Sequence, residues 1–211
     1  MQCRVIARRT MKDDSKSDLP REEIDTSAEL RQTLGERPIV LVGLMGAGKT
    51  TVGRRLAARL NLPFNDADAE IERAAGKTIP EIFTDHGEAA FRDGEKKVIA
   101  RILQSGPQVL ATGGGAFIDA QTRQEISKYG ISVWLKADAN LLLKRVSKRG
   151  GRPLLQGGNP KQILNRLVDE RYPNYAKADI TVESKDVPHL QIVQLIVDAL
   201  EGHLFEKEPE E

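Results

Sequence analysis

Little in this chain invites a partner of opposite charge or a lipid environment. Across 211 residues, 32 Lys and Arg balance 31 Asp and Glu to a net charge of +1, so no global field favours nucleic acid or an anionic membrane. No apolar run approaches the length of a membrane span, and the opening MQCRVIARRTMKDD lacks the apolar centre of a secretory signal. Its arginines weakly suggest an organelle presequence, but Asp13 and Asp14 follow at once. The single cysteine, Cys3, excludes an internal disulfide and fits a reducing cytoplasm. Internal repeats are missing. So is the N-K-x-D guanine signature, which disfavours a GTPase.

What is present is an alternation of strand-type and helix-type segments. Residues 1–37 mix both charges with few large apolar side chains and read as a flexible extension, with at most a short helix near SAELRQTL. From Pro38 the pattern becomes regular. PIVLVG (38–43) is a continuous apolar run, as in a strand buried on both faces, and helix-type KTTVGRRLAARL follows. A short strand is expected at LPFN, with helices over 67–75 and 87–104. Further strands are expected at 108–112, ISVWLK and ADITV, and further helices near 119–128, at ANLLLKRVSK, over 160–171 and at PHLQIVQLIVDALEGHL. Such alternation predicts an α/β fold, a parallel sheet with helices on both faces, over residues 38–204. Residues 205–211 read as an acidic tail.

GLMGAGKTT (43–51) fits G-x-x-x-x-G-K-[ST], with a buried strand before it and a helix after it. Its glycines allow the backbone N–H groups to turn inward on phosphate oxygens, beside the positive end of the following helix. Lys49 would reach the β- and γ-phosphates of a nucleoside triphosphate, and the Thr50 hydroxyl would ligate magnesium. Mechanical ATPases usually carry a magnesium aspartate after four apolar residues. Strand 108–112 ends instead in Thr112 and three glycines, and Asp138 after VWLKA reads as a helix cap.

Three further groups point to an acceptor. Asp66 and Asp68 in FNDADAEIE follow the second strand; strand alternation would aim both from its C-terminal end, one to hold magnesium through water and one to accept a substrate hydroxyl. Two helix-capping aspartates are the bland alternative. Arg92 in FRDGE and Arg171 in ERYPNYAKAD are candidate anion ligands, each also readable as a solvated charge; Arg171 sits before Pro173, where a helix should end. Arg152 lies in the glycine-rich segment 150–158, the composition of a mobile lid with an internal arginine finger. The triple glycine Gly113, Gly114, Gly115 suggests bare backbone lying against a ligand.

GLMGAGKTTVGRRLA, FNDADAEIE, FRDGE, TGGGA, RPLL and RYPNYAKAD occur in the order and approximate spacing of the shikimate kinase family, which the chain resembles over roughly residues 38–200. The resemblance implies a P-loop fold of the nucleoside monophosphate kinase type: three layers, a five-stranded parallel sheet, a lid and a substrate-binding subdomain. It implies phosphorylation of shikimate by ATP with Mg2+, on the route to chorismate and aromatic amino acids, by a cytoplasmic monomer that needs neither nucleic acid nor membrane. By the same resemblance, Gly46, Ala47, Gly48, Lys49, Thr50 and Thr51 hold ATP, joined by Arg152 and Arg145. Asp66 approaches magnesium through water. Asp68 binds the substrate hydroxyls and takes the proton, so that Lys49, Asp68 and Arg152 form the catalytic set. Arg92 and Arg171 hold the shikimate carboxylate, Glu95 steadies Arg92, and the N–H of Gly114, between Gly113 and Gly115, meets the substrate. Phe83 and Phe91 pack apolar surface against its ring. A side chain at 114 is expected to fill the acceptor volume.

One departure concerns the loop ESKDVP, where the family often has an arginine near adenine. Lys185 replaces it poorly, so the base contact is unassigned. Competing readings are a gluconate or nucleotide kinase, and a nucleotide-binding regulator that has lost catalysis. A nucleotide acceptor would not need two arginines and three bare glycines; gluconate, an anionic polyol, is physically closer.

Overall fold

A computed structural model describes residues 26–147 and 159–205. Five strands, β1 (Ile39–Val42), β2 (Phe64–Asp66), β3 (Val109–Ala111), β4 (Ile131–Lys136) and β5 (Ile180–Glu183), form one parallel sheet in the order β2-β3-β1-β4-β5. Every residue of β1 and β3 is buried, as is all of β4 except Lys136. That is the burial expected where helices cover both faces. The edge strand β5 alternates buried and exposed residues instead.

The helices are α1 (Thr26–Leu34), α2 (Lys49–Arg59), α3 (Ala67–Ala75), α4 (Ile79–Leu103), α5 (Ala120–Tyr129), α6 (Ala139–Ser147), α7 (Pro160–Tyr175) and α8 (His189–Phe205). Three differ from the sequence expectation. First, α1 is part of the packed fold: Leu30 and Leu34 are buried in the main core, and α1 lies on α8. The extension read as flexible to residue 37 therefore holds a core helix in its last third.

Second, α4 carries an additional piece, residues 79–86, ahead of the helix expected over 87–104. Thr78 and Glu81 form a reciprocal capping box, with Pro80 in the first turn, so the helix starts where its orphan N–H groups find side-chain acceptors. Gly87, at φ 78° and ψ 172°, divides it into two pieces. Third, α7 runs through Pro173 to Tyr175 rather than ending at 171. The proline forfeits one helix hydrogen bond, and the buried Tyr175 two residues on anchors the last turn.

The hydrophobic interior is in two parts. The large one surrounds the sheet. A small one, Ile71, Ile82 and Phe91 with Ile79, Phe83 and Val98 packed on it, joins α3 to α4. It forms a separate cap beside the C-terminal end of β2.

Candidate active site

The exit of β1 leads through α2 to β2 on one side of the sheet, and the exit of neighbouring β3 leads through α5 to β4 on the other. Such a reversal opens a crevice at the C-terminal edge of an α/β sheet. Thr112 closes its floor, donating from both N–H and hydroxyl to the Leu41 carbonyl at 3.2 and 3.0 Å. Here lies a cleft of about 260 Å3, lined by Met45, Gly46, Gly48, Lys49, Thr50 and Thr51, with Asp66, Asp68, Thr112, Gly114, Arg145, Val146 and His189.

The loop after β1 has the curl expected of a phosphate cradle. At Gly43, φ is 136° and a Cβ would lie 2.8 Å from the Leu135 carbonyl oxygen, so only glycine fits. Gly48 caps α2 with φ 100° and no side-chain acceptor, which leaves the helix N-terminus open to the cleft. Lys49 Nζ donates to the carbonyls of Gly43 at 2.7 Å and Leu44 at 3.1 Å, holding the ammonium within the loop.

Asp66 caps a helix and also reaches the cradle. One carboxylate oxygen accepts from the Asp68 N–H at 3.1 Å and caps α3; the other accepts from the Thr50 hydroxyl at 2.8 Å. Asp68 belongs to the first turn of α3, so helix geometry, not strand alternation, aims it into the cleft.

The triple glycine meets the three expected acceptor groups one by one. A Cβ on Gly113 would lie 2.7 Å from Glu95 Oε1 and 2.8 Å from Asp68 Oδ1; on Gly115, 2.6 Å from Arg92 Nη1; on Gly114, 3.9 Å from Arg171 Nη1. The same position on Gly114 is 3.4 Å from the Met45 nitrogen and 3.7 Å from the Gly43 oxygen, ordinary contacts. The protein itself crowds Gly113 and Gly115, while Gly114 lines the cleft, so a side chain there would project beside the open volume.

Both arginines are held in place. Arg92 pairs with Glu95 at 2.7 Å and with Glu88 at 3.2 Å, and Arg171 donates to the Gly114 carbonyl at 3.0 Å. Glu95 is 3% exposed and its Oε1 has no hydrogen-bond partner. Burial pushes its carboxyl above the usual range, against the pull of Arg92; Asp68 and Asp119 push the same way. Phe83 and Phe91 pack together, centroids 4.7 Å apart, in the cap interior and do not line the cleft.

On the outer side of the cradle, Arg145 Nη1 donates to the carbonyls of Gly46 and Ala47 at 3.4 and 3.3 Å and to Ser184 Oγ at 2.9 Å. Its Nη2 donates to the Lys185 carbonyl at 2.8 Å. Ser184, buried, also donates to the Ala47 carbonyl at 3.0 Å. The P-loop and the 183–188 loop are thus stapled together. His189 follows at the start of α8 and lines the cleft beside Arg145. Sequence reading passed over Ser184, His189 and Tyr175; the spacing Arg171–Tyr175, one helical turn, was the available signal for the last. Arg152 and the 150–158 lid lie outside the described residues.

A parallel sheet with a phosphate cradle at its switch point, beside a glycine wall against which a carboxylate and two arginines are set, defines a P-loop phosphotransferase acting on a small anionic acceptor. The shikimate kinase family profile matches residues 45–201. A shikimate kinase of Bradyrhizobium diazoefficiens is 56% identical over 177 residues, 84% of this chain and 86% of the relative. Among solved structures, the shikimate kinase of Acinetobacter baumannii in complex with shikimate superposes with a TM-score of 0.78 at 41% identity, covering 85% of this chain and 99% of the other. A gluconokinase from Sinorhizobium meliloti, 19% identical with a TM-score of 0.55 over 81% of this chain and 95% of its own, shares the fold alone. The chain belongs to the shikimate kinase family.

Proposed function

We propose that this enzyme transfers the γ-phosphoryl group of ATP to the 3-hydroxyl of shikimate, giving shikimate 3-phosphate and ADP. The observation that carries the reading is the pairing of each glycine in 113–115 with a different acceptor group, next to the cradle. The cradle N–H groups and Lys49 hold the phosphate chain. Asp68 orients the acceptor hydroxyl. Its oxygen bonds to the γ-phosphorus as the bond to the β-γ bridging oxygen breaks, and the hydroxyl proton passes to the Asp68 carboxylate. Arg92 and Arg171 grip the substrate carboxylate, a planar anion suited to guanidinium forks. Arg152, from the lid, adds positive charge at the moving phosphoryl.

Thr50 and Asp66 offer one hydroxyl and one carboxylate, hard oxygen donors 2.8 Å apart, and no group of three or more His, Cys, Asp or Glu among the described residues is placed to cage a metal. That sparse set fits Mg2+, which keeps most of its water and is shared with phosphate oxygens. When bound, Mg2+ would neutralise charge on the β- and γ-phosphates. Cytoplasmic location and a monomeric state complete the proposal, the former supported by the lone cysteine, the latter to be checked by gel filtration.

The test is a coupled assay of ADP release with shikimate, gluconate or no acceptor. Turnover only with shikimate is expected; release with gluconate alone, or equally without acceptor, would overturn the reading. In the same assay Arg171→Ala is expected to raise KM for shikimate about 10–150-fold, the loss of charge-assisted bonds, and Asp68→Asn to abolish turnover while ATP still binds.

A further inference from the structure

The Gly114 carbonyl accepts from two side chains of α7, Arg171 Nη1 at 3.0 Å and the Tyr175 hydroxyl. Tyr175 is fully buried. Its ring packs against Phe117, Trp134 and Tyr172, with centroids 6.4, 5.9 and 6.2 Å away, so the phenol is anchored from several sides. With no exposed surface, it offers a substrate nothing to touch. We propose that Tyr175 is a positioning residue for the acceptor: it holds the Gly114 carbonyl so that Arg171 is free to turn to the substrate carboxylate. The inference rests on the carboxylate role of Arg171.

Gly114 is half-buried, and a carbonyl partly shielded from water is costly to leave without a donor. With Arg171 as sole donor, every bond it made to substrate would be set against the bond it gave up. Tyr175 removes that competition, because Gly114 remains paired when the guanidinium turns. It also fixes the wall itself. In a trans peptide the C=O and the next N–H point opposite ways. Drawing the Gly114 oxygen toward α7 therefore turns the Gly115 N–H away from α7. The Gly113 oxygen is tied to the Ala116 N–H at 3.3 Å, which orients the Gly114 N–H in the same manner. Neither N–H donates to any other described residue.

The test compares Tyr175→Phe with the wild type, using shikimate and its methyl ester, which lacks the anion. The variant keeps the ring, and a retained thermal transition establishes that it folds. Its affinity for shikimate, by calorimetry, is expected to fall about 3- to 10-fold, the worth of one neutral hydrogen bond. Affinity for the ester, kcat and KM for ATP are expected to stay as they were. Equal weakening of acid and ester would make Tyr175 a packing residue only and overturn the inference, as would unchanged shikimate affinity. A wild-type enzyme that bound acid and ester alike would instead overturn the carboxylate role of Arg171, and this inference with it.

Discussion

Gly113 and Gly115 have less room than the glycine between them. A methyl at 113 would press on the Asp68 and Glu95 carboxylates, and one at 115 on the Arg92 guanidinium. Gly113→Ala and Gly115→Ala are therefore expected to raise KM for shikimate well above that of Gly114→Ala, with KM for ATP little changed in all three; a larger effect at 114 would mean that substrate, not protein, sets the spacing. A second residue-level consequence concerns alkali. Burial lifts the Tyr175 phenol from 10.0 to about 12. Between those values the folded chain keeps a proton that the unfolded chain releases. The stability this group contributes is thus complete below pH 10 and lost as pH rises toward 12. Phenolate absorbance should keep growing beyond pH 11, where burial holds back Tyr175 and raises Tyr172 as well, and Tyr175→Phe should diminish that late rise.

Among the elements, α1 is where sequence and structure part most clearly. SAELRQTL holds only two large apolar residues, Leu30 and Leu34, and one turn of spacing between charged neighbours carries little periodicity; both are nevertheless buried, against α8. Leu30→Ala is expected to destabilise the fold by about 2–5 kcal/mol, the cost of a cavity in a packed core, and denaturant unfolding would measure it. A change near zero would return α1 to the status of a loose appendage. The parts of the site that were legible, residues 43–51, Asp66, Asp68 and the triple glycine, are short contiguous motifs whose chemistry is local. Tyr175 and Ser184 were not, because each acts through a backbone carbonyl distant in sequence, Gly114 and Ala47. The helical piece missed at 79–86 and the helix end missed at 175 have separate causes. A capping box was available at Thr78–Glu81, but Pro173 as a stop signal was overridden by the buried ring two residues later.

At the scale of the whole molecule, the two halves of the reaction are brought together by strand order. β1 and β3 are neighbours although α2, β2, α3 and α4 separate them in the chain, and their exits supply the cradle and the glycine wall. A lid arginine joining this site from outside would act on turnover. Arg152→Ala is expected to lower kcat by up to about 10³-fold, in line with other arginine fingers, and single-turnover kinetics would separate that loss from slower binding. The cap has its own small interior, apart from the interior around the sheet, and its 79–86 piece is flanked by Gly76 and Gly87, both at positive φ with open space around them. Elements with few buried contacts open independently of the rest. Amide hydrogens of α3 and of residues 79–86 should therefore exchange with deuterium through openings that leave β1, β3 and β4 closed, and shikimate, by bridging Asp68 to Arg171, should slow exchange in the cap far more than in the sheet.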